Sequence, residues 1–433
     1  MERMKPNAWK GVVLSTAIVV SSLLPFTAHA AERESDTPVW TRQHASNFVL
    51  TEDNTAPEIN DFEHVAPDYW IWDTWPLKDR DGKVATVNGY KVAFALTASK
   101  EYTWHGRHDV AEIRYFYSKN GKDWTMGDIA YDPDEAYGSR RWAGSAIIDE
   151  NDRVHLFYTA TGREGEEVPS VEQRLAKVTF DIEAKKGNKG VSLSNWGEHE
   201  LLLEADGEYY ETMDQATGDI LYSFRDPEFF KDPKTGEEYL LFEGNTAGYE
   251  KVVEPHHIGD EEFRKNHEVP KGAEDFNGNI GIAKALDDDL SEFELQPPLL
   301  EAMGVNQQLE RPHVLEKGGK YYLFTISHEF TFAPGLWGPD GLYGFVADSL
   351  HGDYKPLNEN GLVVANPENN PFQAYSWYVM PNGTVLSFVN EFLDVNGDLQ
   401  FGGSFAPTLK LSISNDTTKV TGELGEGQII PSN

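Results

Sequence analysis

The chain has 433 residues, no cysteine, and a formal net charge of −35 from 37 basic and 72 acidic residues. Without cysteine it cannot form a disulfide, a thiolate metal site or a cysteine nucleophile. So acidic a surface repels nucleic acid and anionic membranes, which are therefore not expected as partners, whereas a neutral substrate is not repelled. The acidic excess also favours a halophilic protein whose solvated surface suits high salt.

The N-terminal segment has the pattern of a secretory signal peptide. Arg3, Lys5 and Lys10 precede an apolar run, and small residues follow at positions 28 and 30. The apolar run is about 16 residues long, shorter than the roughly 20 that a membrane-spanning helix needs. We therefore predict cleavage near Ala30, which leaves residues 31–433 as one secreted domain. An uncleaved membrane anchor is the alternative.

One local pattern recurs five times along the chain: a turn of Gly, Asn, Asp or Lys is followed by a strand of β-branched and aromatic residues. These strands are 90–97, 154–159, 239–243, 321–325 and 385–389, and each contains one Phe in a similar register. Each fits the second arm of a hairpin. Apart from short stretches such as 259–266, helical periodicity is lacking. The pattern predicts an all-β, five-bladed β-propeller with a central funnel, and an array of β-sandwiches is the alternative.

The predicted first arms of these hairpins hold the candidate functional residues. They are Trp72-Asp73-Thr74-Trp75-Pro76, Trp142-Ala143-Gly144-Ser145, Arg225-Asp226-Pro227, Glu310-Arg311-Pro312 and Tyr375-Ser376-Trp377. If each first arm is the innermost strand of its blade, all five meet at one axis. Carboxylates that converge there push their pKa values apart, which suits acid and nucleophile roles. An arginine–carboxylate pair that only holds a blade in place is the alternative.

These segments resemble motifs of the levansucrases and related fructosyltransferases of glycoside hydrolase family 68, and the similarity extends over most of the chain. The segment from Trp72 to Leu77 is similar to the nucleophile motif, which implies that Asp73 is the nucleophile. The Arg-Asp-Pro motif implies that Asp226 stabilises the transition state. The segment around Glu310 is similar to the family's general acid/base motif. The family fold is a five-bladed propeller, in agreement with the hairpin count.

The resemblance implies a retaining reaction on sucrose. A covalent fructosyl-enzyme would form, and its fructosyl unit would pass to water, sucrose or a growing fructan. In such enzymes the nucleophile and acid carboxyl groups are about 5–5.5 Å apart. We expect no cofactor and no metal, and we expect a monomer.

The resemblance implies further substrate contacts at Trp72, Trp142, Arg225, Glu243, Gln308, Arg311, His328 and Tyr375. The two tryptophans would line the fructosyl pocket with flat apolar faces, and Arg225 would bind hydroxyl groups. His328 stands at a position that the family links to acceptor choice. For the aromatic residues, packing in the propeller core is the alternative.

The chain departs from the family pattern at two positions. Ala143 stands where some relatives have a serine that hydrogen-bonds the nucleophile, so another donor is expected to replace it. Gln307 stands where calcium-binding relatives have an aspartate ligand, and a neutral amide weakens an oxygen cage for calcium. We therefore expect no structural calcium there, as in the Gram-negative branch of the family.

Three other functions stay open from the sequence. The chain would be an invertase-like hydrolase if water is the main acceptor. A related propeller glycosidase acting on arabinan or preformed fructan would use a similar carboxylate trio. A non-catalytic sugar-binding propeller would use its aromatic residues for stacking and its carboxylates only to bind hydroxyl groups.

Overall fold

Strands make up most of the regular structure in the residues that the computed structural model describes, which are residues 37–430 except 186, 188 and 395. The predicted signal peptide, residues 1–30, lies outside the described residues. Within the described part of the chain, no helix is both long enough and apolar enough to cross a membrane.

The strands form four sheets. The first sheet contains β1 Tyr69–Asp79, β2 Thr86–Val87, β3 Tyr90–Ser99, β4 Glu112–Ser118, β5 Thr125–Ile129, β6 Arg140–Ile148, β7 Arg153–Thr161, β8 Gln173–Ala184, β9 Val191–Ser194 and β10 Glu200–Leu203. The second contains β11 Phe224–Lys231, β12 Glu238–Asn245, β13 Gly278–Ala285 and β14 Phe293–Glu301. The third contains β15 Glu310–Lys317, β16 Lys320–Ser327, β17 Gly341–Ala347, β18 Lys355–Pro356 and β19 Leu362–Ala365. The fourth contains β20 Ala374–Val379, β21 Thr384–Leu393, β22 Leu399–Phe405, β23 Pro407–Ser414 and β24 Thr417–Glu426.

Helical structure is confined to short segments in the described residues. The α-helices are α1 Pro255–Ile258 and α2 Glu261–Asn266, and the 3₁₀ helices are His44–Ser46, Trp104–Val110, Pro133–Glu135, Ala273–Asp275, Glu329–Thr331 and Leu357–Glu359. The predicted helix over 259–266 begins two residues later than expected. Gly259 has φ of 146°, a conformation that glycine adopts readily and that ends α1 before Asp260 caps α2.

All five predicted hairpins are present. The second arms are β3, β7, β12, β16 and β21, and each pairs antiparallel with its first arm, β1, β6, β11, β15 or β20. The recurring phenylalanines are all buried, namely Phe94, Phe157, Phe242, Phe324 and Phe388. The repeat that was visible in the sequence is therefore a repeat of core positions.

The first arms form a closed circle: β1 contacts β6, β6 contacts β11, β11 contacts β15, β15 contacts β20, and β20 contacts β1. This arrangement confirms the predicted all-β propeller. The first sheet has ten strands because β1 and β6 pair in parallel near their ends, from Leu77–Ala146 to Asp79–Ile148. Because two hairpin units share that sheet, the number of blades stays a prediction.

Every first arm is interrupted at the same level by a β-bulge, where its pairing with the second arm shifts register. The bulged regions contain Asp73, Ala143, Asp226, Arg311 and Ser376. All of these except Ala143 have a positive φ, of 39°, 61°, 48° and 59° in chain order. Non-glycine residues in such conformations cost about 1–3 kcal/mol each and cluster at functional sites. The bulges therefore mark one level of the axis as a candidate site.

A deeper layer of buried polar side chains follows the bulges along the same strands. Lys78 forms an ion pair with Glu228, and the Tyr378 hydroxyl donates to Glu228 Oε1 at 2.9 Å. The His313 ring stacks on Tyr378 with centroids 4.6 Å apart, and its Nε2 accepts from the backbone N of Val379 at 2.9 Å. This network connects β1, β11, β15 and β20 below the site.

Candidate active site

A cavity of about 530 Å³ lies at the level of the bulges. All of the predicted site residues except Glu243 line it: Trp72, Asp73, Trp142, Arg225, Asp226, Gln308, Glu310, Arg311, His328 and Tyr375. Glu243 lies on the second arm β12, farther from the axis, and its side chain is fully buried behind Arg225. The structure therefore places Glu243 behind the cavity wall rather than on it.

A larger cavity, of about 1140 Å³, lies at the other end of the first arms, beyond the deeper layer. It is lined mainly by turn residues, and its acidic side chains include those of Asp79, Asp149 and Asp288. Some of its charges are already paired within the protein, as in the contact of Arg80 with Glu238. It lacks the convergent carboxylates on the first arms that line the smaller cavity, which we therefore take as the candidate active site.

Glu310 is held by two hydrogen bonds. The Tyr375 hydroxyl donates to Oε2 at 2.5 Å, and Arg225 Nη2 donates to Oε1 at 3.1 Å. Arg225 also pairs with Glu243, with Nε 2.8 Å from Oε2. Although burial lowers the pKa of Arg225, the charges of Glu243 and Glu310 outweigh burial and raise it. Arg225 is thus a fixed cation that orients Glu310.

Asp73 lies half-buried at the bulge of β1, and desolvation raises its pKa. The charge of Arg311 and a hydrogen bond from the Ser376 hydroxyl oppose this effect, while the charge of Glu310 adds to it. Arg311 Nη1 in turn donates to Ser376 Oγ at 2.5 Å. Ser376 is therefore the donor that serves Asp73 in a chain with alanine at position 143.

Asp226 is fixed through both its backbone and its carboxylate. Its backbone N donates to Thr159 Oγ1 at 2.9 Å, and its Oδ2 accepts from the backbone N of Arg311 at 3.2 Å. Burial raises the pKa of Asp226 to about 7, with Arg225 opposing the shift and the charges of the other two carboxylates adding to it. The negative charges of Glu310 and Asp73 therefore disfavour ionisation of Asp226.

His328 lies at the rim of the cavity between two aromatic rings. It stacks on Tyr375 with centroids 3.7 Å apart and an interplanar angle of 12°, and on Phe330 at 5.1 Å and 19°. Its Nδ1 is 2.7 Å from Oδ2 of the buried Asp340. Burial lowers the pKa of His328, but the hydrogen bond and charge of Asp340 outweigh burial and raise it.

Two basic residues that line the cavity, Arg107 and His108, were not among those predicted from the sequence. Both lie in the 3₁₀ helix between β3 and β4. The Arg107 guanidinium lies 3.7 Å from the Trp104 ring centroid, and burial lowers its pKa to about 10 against the opposing charge of Asp73. Burial and the Arg107 charge hold the pKa of His108 well below its usual value. The sequence feature that could have indicated these two residues is the cluster of His and Arg at positions 105–108 in an otherwise acidic chain.

Gln307 makes hydrogen bonds within the protein. Its Oε1 accepts from the backbone N of Asn277 at 2.9 Å, and its backbone O accepts from Asn245 Nδ2 at 2.8 Å. The absence of calcium at this position stays a prediction.

The fold and the site together define a class of protein. Three carboxylates from three different strands converge in a cavity walled by tryptophans, at the centre of a propeller. Paired carboxyl groups of this kind act as nucleophile and acid at glycosidic bonds. The protein therefore belongs to the class of enzymes with a propeller fold that act on glycosidic bonds.

Comparison with known proteins agrees with this class. The chain belongs to the levansucrase/invertase family, glycoside hydrolase family 68, whose model matches residues 30–430. A levansucrase from Rahnella aquatilis is 39% identical over 418 residues, which cover 91% of this chain and 96% of the relative. An extracellular sucrase from Zymomonas mobilis is 40% identical over 403 residues, 90% of this chain and 94% of the relative. The inulosucrase from Halalkalicoccus jeotgali, solved with bound kestose, is 44% identical with a TM-score of 0.82, covering 91% and 98% of the two chains. The resemblance predicted from the motifs is confirmed.

Proposed function

We propose that this protein cleaves sucrose and transfers the fructosyl unit by a retaining double displacement. The observation that carries the proposal is the convergence of Asp73, Asp226 and Glu310 in one cavity, each on a separate first arm. The names of the relatives, a levansucrase, an extracellular sucrase and an inulosucrase, support sucrose as the substrate.

In the first step, protonated Glu310 donates its proton to the glycosidic oxygen, and glucose leaves. A carboxylate oxygen of Asp73 forms the new bond to the anomeric carbon of the fructosyl unit. Arg311 and Ser376 favour the ionised, nucleophilic form of Asp73. Asp226 supplies negative charge beside the oxocarbenium-like transition state without forming a bond to it.

In the second step, Glu310 acts as a base. It takes a proton from the acceptor, whose oxygen attacks the anomeric carbon and releases Asp73. Between the two steps Glu310 is ionised, and the hydrogen bonds from Tyr375 and Arg225 stabilise that form. We expect the reactive carboxyl groups of Asp73 and Glu310 to be about 5–5.5 Å apart.

The remaining cavity residues are proposed as substrate contacts. Trp72 and Trp142 offer flat apolar faces to the fructosyl ring. Gln308 is oriented by its Nε2, which donates to the backbone O of Leu221 at 2.9 Å. Sucrose and fructan chains are the proposed acceptors besides water.

We further propose that the protein is secreted after cleavage near Ala30 and that it is a monomer. N-terminal sequencing of the exported protein would test the cleavage site.

The test is to incubate the mature protein with sucrose at low and high salt and to follow glucose, fructose and polymer together. Glucose in excess of fructose, with polymer, is the expected result. Equal glucose and fructose would indicate an invertase-like hydrolase on the same machinery. No glucose at any salt concentration would overturn the proposal.

A further inference from the structure

A large apolar side chain stands exposed at the mouth of the catalytic cavity. Phe330 lines the cavity, yet 66% of its surface is exposed to solvent. Single exposed apolar residues are common on protein surfaces and need no explanation by themselves. The surroundings of this ring, however, restrict both its position and its orientation.

The short turn that carries the ring is anchored on both sides. The backbone N of Glu329 donates to Asp340 Oδ1 at 2.7 Å, and the Thr331 hydroxyl donates to the backbone O of His328 at 2.8 Å. Asp340 is buried and uses its other oxygen to hold His328. The exposed ring therefore lies on a rigid element, which is the requirement for a binding contact that costs little ordering entropy.

The ring is also the outermost of three stacked rings that lead from the acid/base to solvent. Phe330 stacks on His328, which stacks on Tyr375, and the Tyr375 hydroxyl donates to Glu310. An acceptor must place a hydroxyl group next to Glu310 to be deprotonated. The part of an acceptor chain beyond that hydroxyl then extends outward past the stacked rings.

Neutral sugars suit such a surface. The C–H face of a sugar ring packs against the negative face of an aromatic ring, and this contact requires no charge on the sugar. The hydrogen bond and charge of Asp340 outweigh burial and raise the pKa of His328, which favours its protonated form, and a protonated imidazole strengthens a stack on aromatic rings. Water, as the competing acceptor, gains nothing from an aromatic platform.

We propose that Phe330 is the stacking platform for the second sugar residue of the acceptor chain, and that it determines transfer over hydrolysis. This inference rests on the proposed function, because it requires a fructosyl-enzyme that chooses between acceptors. Phe330 does not take part in bond breaking, so it acts on acceptor choice and not on sucrose cleavage.

The test compares the wild type with Phe330→Ala and Phe330→Trp, using sucrose with added kestose as the acceptor. Glucose release reports cleavage, and the ratio of free fructose to glucose reports hydrolysis. For the alanine variant we expect glucose release within about twofold of wild type and a three- to tenfold lower ratio of transfer to hydrolysis. The tryptophan variant should keep the wild-type ratio. Trp196→Ala removes an exposed aromatic ring that lines a separate cleft, and it should change neither readout.

Three outcomes would overturn the assignment of Phe330 as a stacking platform. The first is an unchanged ratio of transfer to hydrolysis in Phe330→Ala, and the second is an equal fall of that ratio in Phe330→Trp. A loss of glucose release parallel to the loss of transfer would assign the ring to positioning His328 instead. Failure of the proposed function has a different signature, because the wild type would then release no glucose.

Discussion

The axis of the propeller has two buried layers that come from the same strands but differ in how their charges are balanced. In the deeper layer, Lys78 and Glu228 form one ion pair, and a tyrosine hydroxyl adds a hydrogen bond. In the upper layer, the four carboxylates of Asp73, Asp226, Glu243 and Glu310 share the three arginines Arg107, Arg225 and Arg311, and bulged residues have positive φ. The polar groups of the deeper layer are paired within the protein, whereas the upper layer has a strained backbone and opens into a cavity.

This difference separates stability from chemistry within one set of strands. A buried ion pair contributes little net stability, but breaking it by removing one partner is costly. Excess buried carboxylate, in contrast, costs stability and supplies groups with separated pKa values. We therefore expect substitutions in the deeper layer to lower stability, and substitutions of the carboxylates in the upper layer to abolish activity without lowering stability.

The largest expected effect is on activity in the upper layer. Asp73→Asn removes the nucleophile with little change in shape, and we expect glucose release from sucrose to fall roughly 10³–10⁴-fold, equivalent to about 4–5.5 kcal/mol of transition-state stabilisation. The midpoint of thermal unfolding should not fall. Retention of more than a tenth of wild-type activity would contradict the assignment of Asp73.

The next largest effect is on stability in the deeper layer. Lys78→Met leaves Glu228 buried without its cation, and we expect the free energy of unfolding to fall by about 3–5 kcal/mol in denaturant titrations. The double variant Lys78→Met with Glu228→Gln removes both charges and should recover part of the loss. If the single variant is as stable as wild type, the two layers do not differ in the way described.

The smallest of these effects is a pH-dependent increase in the free energy of unfolding when the carboxylate of Asp226, in the upper layer, is removed. The pKa of Asp226 is about 7 in the folded protein against an ordinary value of 3.8. The folded state therefore holds this proton to higher pH than the unfolded chain, and stability present below pH 4 is lost as the pH rises through 7. Asp226→Asn cannot lose that proton.

We therefore expect Asp226→Asn to be inactive but about 1–3 kcal/mol more stable than wild type at pH 8, with little difference at pH 4. Thermal unfolding of both proteins across this range is the measurement. Asp219→Asn removes an exposed carboxyl group at the same cavity and serves as the control. A stability difference that does not grow with pH would show that the buried charge of Asp226 is not the cause.

Much of the axis could be predicted from the sequence, because hairpins have a local signature. The turn-and-strand repeat located all five second arms. Asp73 stood out by the tryptophans and proline around it, and Asp226 and Glu310 each by an adjacent arginine and a nearby proline. These features depend on chain segments of fewer than ten residues, in which backbone preferences and the alternation of apolar and polar residues directly determine the local structure.

The contacts that depend on ring closure could not be predicted in this way. Arg107 enters the cavity from a 3₁₀ helix that has no motif of its own. Glu243 was expected at the substrate, yet it lies behind Arg225, because the distance of a strand from the axis is set by the whole sheet. Each of these placements depends on how the sheets pack around the axis.

The bulge at Ala143 is the position in the circle that carries no polar side chain. It lies at the same strand level as Asp73 and Asp226, and its small methyl group lines the cavity. Ala143 is only 1% exposed, so a side chain close to alanine in size fits there with the least displacement of its neighbours. For protein engineering, Ala143→Ser is therefore the change by which this bulge would gain a polar group beside the cavity.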